Sequence, residues 1–148
     1  MRFKVKLFTI GHTKKSAEKF FELININHID IVADVRLYNS TQLAGFSKSE
    51  DLRYFLKQIC NCNYIAMQKF APTRSLFDSY KKGYIGWNEY ERIYNEFLNA
   101  RANLDFFYAF QNKRICLLCA EDTPEHCHRR LIAEKIANTY DNVTIVHL

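Results

Sequence analysis

The run IDIVADV, residues 29–35, decides the fold class, because it is short, uninterrupted and rich in β-branched side chains. Such a run is typical of a strand covered on both faces, as in a parallel sheet. Residues 3–10, FKVKLFTI, predict an earlier strand, and residues 16–24, SAEKFFELI, predict a short helix between the two with Ser16 as its N-cap. A strand, a helix and a second buried strand in this order form a right-handed βαβ unit with parallel strands.

The same alternation continues along the rest of the chain. Further strand-like apolar runs occupy residues 64–68, 114–119 and 143–148. Helical periodicity occupies residues 47–59, the segment 73–110 with an interruption near Gly83 and Gly86, and the segment 122–140. This alternation predicts a single α/β domain over residues 1–148, a three-layer, Rossmann-like fold with a mainly parallel sheet.

Two of the helix predictions can be stated for single residues. The period of the segment 47–59 places four apolar side chains on its inward face. These side chains are Leu52, Phe55, Leu56 and Ile59. For the last helix, either Thr123 is the N-cap with Pro124 at the first helical position, or Asp122 is the N-cap with Glu125 three residues later.

Composition and charge restrict the partner and the compartment. The net charge of +5 is mild, so it allows an anionic partner such as nucleic acid, a nucleotide or phosphate without requiring one. No apolar run approaches the roughly 18–20 residues that span a membrane, and lysines interrupt the first apolar run, so we expect neither a membrane partner nor a signal peptide. Five cysteines without a secretion signal then indicate reduced thiols in a cytoplasmic protein.

Polar side chains concentrate where the predicted strands end. In a parallel α/β sheet, sites form beyond the carboxyl ends of the strands. These ends and the start of the last helix carry Gly11, His12, Asp34, Arg36, Ser40, Cys119, Glu121, Cys127, His128 and Arg129. Because separate loops bring histidine, arginine, cysteine and carboxylate side chains to one rim, we expect a functional site there.

Cys119 is the candidate nucleophile of this site, because it ends a strand just before a helix N-terminus. The helix dipole and Arg36 or Arg129 would lower its pKa from about 8.5 into the reactive range. The side chains that complete the predicted catalytic set, as bases or as an orienting carboxylate, are His12, His128 and Glu121. The rim therefore favours an enzyme that acts on a phosphate-bearing or nucleotide-like substrate.

Substrate contacts are predicted from the same rim. The residues expected to contact the substrate or to shape its pocket are Gly11, Asp34, Arg36, Ser40 and Arg129. Arg129 falls on the inward face of its predicted helix, where core packing explains an arginine poorly. Its partner is Glu121, Asp34 or a bound anion, or it forms an internal ion pair that holds two loops together.

The spacing of Cys116, Cys119, Cys127 and His128 raises the question of a zinc site. Residues three apart on a strand point to opposite faces, so Cys116 is predicted to lie in the core as a small apolar side chain. Zinc needs only three or four such ligands. Cys119, Cys127 and His128 therefore remain an alternative metal set, with zinc as the cofactor.

The segment 69–94 interleaves lysine and arginine with aromatic residues. Nucleic-acid binders stack bases on aromatic rings beside basic side chains, whereas aromatic residues at helical spacing are more typical of a helical lid packed on a sheet. A nucleic-acid-associated binding module, in which the Cys/His/Arg cluster only fastens loops, is therefore the alternative to an enzyme.

Three blocks of the sequence resemble a known family. TIGHT (9–13), ADVR (33–36) and LLCAE with CHR (117–121 and 127–129) match, in order and spacing, the domain of unknown function 488 family of small bacterial and archaeal proteins. The resemblance implies a single α/β domain without an established activity. The positions that match the family pattern are Gly11, His12, Asp34, Arg36, Cys119, Glu121, Cys127, His128 and Arg129. Two stretches over the rim depart from it, at residues 37–46 and 67–75, so we expect the substrate or partner to differ from that of relatives.

Overall fold

The computed structural model describes residues 4–40, 45–101, 105–110 and 112–148. In these parts of the chain five strands form one sheet in the order β3-β2-β4-β1-β5, and every pairing is parallel. The strands are β1 (Val5–Gly11), β2 (Ile31–Asp34), β3 (Asn63–Ala66), β4 (Ile115–Cys119) and β5 (Val143–His147). The predicted α/β, Rossmann-like fold class is confirmed.

Helices cover both faces of the sheet. They are α1 (Ala17–Ile26), α2 (Ser49–Cys60), α3 (Arg74–Lys81), α4 (Trp87–Arg101), α5 (Asp105–Ala109) and α6 (His128–Thr139). Helices α1 and α2 bury apolar side chains against one face, and α3 to α6 bury theirs against the other. The sheet is thus the middle of three layers, which explains why its inner strands β2 and β4 are buried along their whole length.

The two faces of β4 show how the strand alternation sorts the cysteines. Cys116 packs with the α1 and α2 layer, whereas Leu117 and Cys119 pack with the layer of α3 to α6. The prediction that Cys116 and Cys119 point to opposite faces, with Cys116 in the core, is confirmed.

Helix α1 begins where the sequence predicted. The Ser16 hydroxyl oxygen accepts a hydrogen bond from the backbone N–H of Lys19 at 3.1 Å, which satisfies one of the free N–H groups of the first turn. Thr73 caps α3 in the same way, by accepting from the N–H of Leu76 at 3.1 Å. The predicted interruption near Gly83 is also present, because Gly83 adopts a φ of 78° between α3 and α4.

The predicted start of the last helix is wrong. Helix α6 begins at His128 with Cys127 as its N-cap, so neither Thr123 nor Asp122 caps it. Residues 122–127 instead form turns and bends, and the N–H of Cys127 donates to the Pro124 carbonyl oxygen at 3.2 Å. The side chain of Arg129 donates hydrogen bonds to the carbonyl oxygens of Glu121 and Asp122. These bonds hold the chain in a turn where the local sequence favoured a helix start.

The inward face of α2 is narrower than predicted. Leu52 and Leu56 are fully buried and Phe55 is half-buried, but 51% of Ile59 is exposed. Ile59 belongs to the last turn of α2, where it borders an open groove between α1 and α2 instead of packing on the sheet. The inward placement of Ile59 is therefore wrong.

The described helices include none that is both long and apolar enough to cross a lipid bilayer.

Candidate active site

The carboxyl ends of β1, β2 and β4 open into one pocket of about 640 Å³. Its lining comprises His12, Thr13, Lys14, Lys15, Arg36, Leu37, Tyr38, Phe77, Cys119, Ala120 and His128. Four of the sequence-predicted site residues, His12, Arg36, Cys119 and His128, therefore line one cavity. They reach it from the ends of three strands and from the start of α6.

The other predicted site residues lie outside the lining. Gly11, Asp34 and Arg129 are buried beneath it, and Glu121 and Cys127 border a smaller adjacent cavity of about 110 Å³. Ser40 is exposed and lines neither cavity.

Cys119 ends the central strand β4 and is 5% exposed. Its sulfur lies 3.5 Å from Nδ1 and 3.7 Å from Nε2 of His128. Burial alone would raise the pKa of the Cys119 thiol, but the Cys127 thiol, the N–H of Ala120 and the charge of Arg129 outweigh it and lower that pKa. Cys119 is thus the thiol of this site that ionises most readily.

The orientation of His128 is fixed by a backbone carbonyl. Nε2 of this buried imidazole lies 2.6 Å from the carbonyl oxygen of Val35. A carbonyl only accepts hydrogen bonds, so Nε2 carries the proton in the neutral ring. Nδ1, which lies 3.5 Å from the Cys119 sulfur, is left as an acceptor. The ring also packs on Tyr94 at 5.6 Å between centroids. His128 can therefore take a proton from Cys119 without changing its position.

Asp34 is the centre of a buried polar network. Its carboxylate accepts from Nε and Nη2 of Arg36 at 2.8 and 2.7 Å, and from the Arg36 backbone N–H at 3.1 Å. The hydroxyl of Tyr64 donates to the same carboxylate at 2.5 Å. Although burial opposes the charge, these bonds and the charge of Asp34 raise the pKa of Arg36. Asp34 is therefore a structural anchor that aims Arg36 at the pocket.

Tyr64 was not among the predicted site residues. It lies on β3, which pairs with β2 beneath the pocket, and 7% of it is exposed. The available signal was a tyrosine at the start of the predicted strand 64–68, since a buried tyrosine hydroxyl needs a partner.

His12 lines the pocket with a partly buried ring. Its Nδ1 atom is buried and has no hydrogen-bond partner among the described residues. Burial, and next the charge of Arg36, lower the pKa of His12 to about 4. The ring is therefore neutral at pH 7.

Gly11 and Arg129 hold the loop after β4. A Cβ atom on Gly11 would lie only 1.7 Å from the carbonyl oxygen of Glu121, so this position needs a glycine. The same carbonyl accepts from Nη1 of Arg129 at 2.5 Å, and Nε of Arg129 donates to the Thr9 hydroxyl at 3.3 Å. Arg129 is fully buried, and its partners are carbonyls and a hydroxyl instead of the expected carboxylates or anion.

The rim of the pocket is cationic. Lys14, Lys15 and Arg36 line it, and in the described parts of the chain no carboxylate does. Lys15 pairs with Asp122 at 3.1 Å, while Lys14 is exposed at a φ of 62°. Glu121, predicted to orient the base, points outward and pairs with Lys81 at 2.7 Å.

Comparison with known proteins identifies the family. A family model described as "Domain of unknown function DUF488" matches residues 16–136. The chain belongs to the DUF488 family. No curated protein and no solved structure gives a significant match. Asp34, Arg36, Cys119 and His128 fall within the matched range, whereas Gly11 and His12 precede it.

A metal-ligand set is also present in this DUF488 protein. The ligand atoms of Cys119, Cys127 and His128 lie within 4.8 Å of one another, and all three residues are buried. These three residues are the alternative zinc ligands that the sequence suggested. Two thiolates and an imidazole are chemically suited to a soft ion. The Val35 carbonyl on Nε2 of His128 would orient such a ligand as well as it orients a base.

The basic and aromatic segment 69–94 of the DUF488 protein forms α3 and the first half of α4. Tyr90 and Tyr94 are buried in the core, and Tyr94 donates its hydroxyl hydrogen to the Phe70 carbonyl at 2.6 Å. Tyr84, at 77% exposed, is an exception. The aromatic residues thus serve mainly to pack a helical layer over the sheet.

Proposed function

We propose that this protein is a cysteine-dependent enzyme that acts on a small phosphate-bearing, nucleotide-like substrate in the pocket above β1, β2 and β4. The observation that carries the proposal is the position of Cys119. This thiol lies on the wall of a pocket whose charged lining, in the described residues, is cationic throughout.

The surroundings of Cys119 support a nucleophilic role. An ionised thiol is the reactive form of cysteine, and the pKa of Cys119 is lowered despite burial, by the Cys127 thiol, the Ala120 N–H and Arg129. When Cys119 is protonated, Nδ1 of His128 at 3.5 Å is an adjacent acceptor for its proton. The resulting imidazolium could then protonate a leaving group.

The cationic rim supports an anionic substrate group. The guanidinium of Arg36 is fixed by Asp34, and the Lys14 side chain extends from the same rim without an ion pair in the described part of the chain. Fixed cationic donors recognise phosphate strongly, particularly where water is partly excluded. His12 adds a neutral imidazole ring to the same lining.

The aromatic residues of the lining support an aromatic substrate portion. Tyr38 and Phe77 meet edge to face with centroids 5.7 Å apart, and both line the pocket. A planar base can pack against such rings while its phosphate lies toward Lys14 and Arg36. The combination favours a nucleoside phosphate over inorganic phosphate alone.

The test is protection of Cys119 from alkylation. The reduced protein would be treated with limiting iodoacetamide at pH 7, alone or with adenosine monophosphate, inorganic phosphate or adenosine, and modification would be quantified at each cysteine. We expect the nucleotide to slow alkylation of Cys119 more than either of its parts does. Half-buried Cys60, whose pKa burial raises to about 11, serves as an internal reference.

A pair of lysine variants makes the test specific. Lys14→Gln removes a rim cation and should weaken protection several-fold, whereas Lys19→Gln removes an exposed lysine of α1 outside the pocket lining and should leave it unchanged. Alkylation of Cys119 that no phosphate compound slows would contradict the proposed substrate class.

A further inference from the structure

Two of the five cysteines, Cys119 and Cys127, lie beside each other at the candidate active site. The sulfur atoms of Cys119 and Cys127 lie within 4.8 Å of each other. The remaining three lie elsewhere: Cys116 on the other face of β4, Cys60 at the end of α2 and Cys62 just before β3. A reactive thiol therefore has one neighbouring thiol that belongs to the same site.

The two thiols differ in access. Cys119 borders both the 640 Å³ pocket and the 110 Å³ cavity, whereas Cys127 borders only the smaller one. Cys119 thus meets reagents from solvent first, and Cys127 lies behind it.

We propose that Cys119 is a site of oxidation by hydroperoxides and that Cys127 is its resolving thiol, so that a Cys119–Cys127 disulfide reversibly switches the site off. The inference rests on the proposed function in one respect, because it needs the reactive thiolate of Cys119. It adds a regulatory role for Cys127 that the proposed reaction does not require.

The chemistry balances in two steps. The Cys119 thiolate attacks the nearer oxygen of a hydroperoxide, the O–O bond breaks, and the alkoxide or hydroxide that leaves takes up a proton, giving an alcohol or water and a Cys119 sulfenic acid. The Cys127 thiol then attacks the Cys119 sulfur, the S–O bond breaks and water leaves with the thiol proton. Two thiols lose two electrons in total, and the peroxide gains them.

A Cys119–Cys127 disulfide requires the two sulfurs to approach each other. A disulfide needs them about 2.05 Å apart, so one partner must move. Cys119 ends β4, which is hydrogen-bonded to β1 and β2 on its two sides, and is held firmly. Cys127 follows the turns and bends of residues 122–127 and precedes the first turn of α6, so the adjustment falls on this loop.

A natural reporter lies beside the moving residue. Trp87, the single tryptophan of the chain, stacks on His126 with ring centroids 5.0 Å apart and an interplanar angle of 22°. Since His126 immediately precedes Cys127, displacement of this loop alters the surroundings of the indole. Intrinsic fluorescence therefore reports closure of the disulfide.

The experiment uses the reduced wild-type protein, freed of metal ions and treated with hydrogen peroxide. Cys116, Cys119 and Cys127 lie on one tryptic fragment between Arg114 and the Arg129 cleavage. Cleavage after Glu121 and Glu125 separates Cys127 from the other two, and fragmentation of the linked peptide distinguishes Cys119 from Cys116. We expect a peptide pair linked through Cys119 and Cys127, a change in Trp87 fluorescence, and reversal of both by dithiothreitol.

Two variants define the roles of the thiols. Cys127→Ser keeps a hydroxyl donor near Cys119 but cannot form the disulfide, so oxidation should stop at a sulfenic acid that dimedone traps, without the fluorescence change. Cys116→Ala is the matched control, because it removes a neighbouring cysteine on the opposite face; the disulfide should form as in the wild type.

The outcomes separate this inference from the proposed function. If Cys119 is alkylated rapidly at pH 7 but peroxide yields no Cys119–Cys127 link in the wild type, the redox inference is overturned and the proposed nucleophile stands. If Cys119 reacts with iodoacetamide no faster than Cys60, the proposed function fails and this inference fails with it.

Discussion

Nε2 of His128 lies 2.6 Å from the carbonyl oxygen of Val35, and this single contact determines which nitrogen of the neutral ring carries the proton. Val35 directly follows β2 and its carbonyl is buried, whereas His128 opens α6. The contact therefore ties the second strand to the last helix and leaves Nδ1 as the acceptor. Both the stability and the chemistry of the site depend on it.

Two substitutions at His128 should separate these contributions. His128→Gln retains an amide N–H that can reach the Val35 carbonyl, so its free energy of unfolding should stay close to that of the wild type. His128→Ala leaves the carbonyl unsatisfied in the core and should cost about 1–3 kcal/mol beyond the lost packing. Urea unfolding measures both, and equal stabilities of the two variants would show that the Val35 contact contributes nothing.

The network around Asp34 should be sensitive to the loss of one hydroxyl group. Tyr64→Phe removes one donor to the Asp34 carboxylate and leaves those from Arg36 in place. Because hydrogen bonds to charged groups contribute more than neutral ones, we expect a loss of about 1.5–3 kcal/mol in urea unfolding. Tyr54→Phe, at an exposed tyrosine of α2, is the matched control and should change stability little.

Close packing at Gly11 gives a prediction about the loop after β4. In Gly11→Ala the new methyl group would lie 1.7 Å from the Glu121 carbonyl oxygen, which is backbone, so strand or loop must shift. Overpacking of this kind costs at least about 1–3 kcal/mol, and the alkylation rate of Cys119 should change with it. Gly45→Ala, where a Cβ meets nothing within 4 Å, should leave the alkylation rate unchanged. An alanine tolerated at Gly11 as well as at Gly45 would contradict the packing described here.

The pH dependence of stability should carry the signature of His12. The pKa of His12 is 6.5 in an unfolded chain but about 4 in the folded protein, chiefly through burial. Between these values the unfolded chain binds more protons, so stability falls as pH drops from 6.5 to 4 and is fully present above 6.5. We expect His12→Gln to flatten this part of the curve of unfolding free energy against pH; an unchanged slope would mean that the folded ring titrates as it does in the unfolded chain.

Much of the fold could be predicted from local sequence. The β-branched run at 29–35 and the apolar run at 114–119 became β2 and β4 because short apolar runs suit strands covered on both faces. Ser16 capped α1 because its partner is only three residues away. The start of α6 could not be predicted in this way, since the side chain that holds the carbonyls of residues 121 and 122 belongs to Arg129.

The site was predictable only in part, because local sequence indicates where strands end but not which helices pack beside those ends. His12, Arg36, Cys119 and His128 meet in one pocket because parallel strands bring their carboxyl ends to one edge. The aromatic residues of the lining were missed, because Phe77 reaches the pocket from α3, and the docking of that helix is a long-range event. The inward position of Arg129 was predicted from helical spacing, but its hydrogen bonds to the Glu121 and Asp122 carbonyls and to the Thr9 hydroxyl were not.

The account as a whole depends on an acidic Cys119 in a folded site. The most direct measurement is the alkylation rate of Cys119 by iodoacetamide as a function of pH, resolved by peptide and compared with Cys60. We predict an inflection below the value of about 8.5 that a free thiol shows, with Cys60 unreactive over the same range because burial raises its pKa to about 11. A Cys119 inflection at or above that of a free thiol would contradict the account.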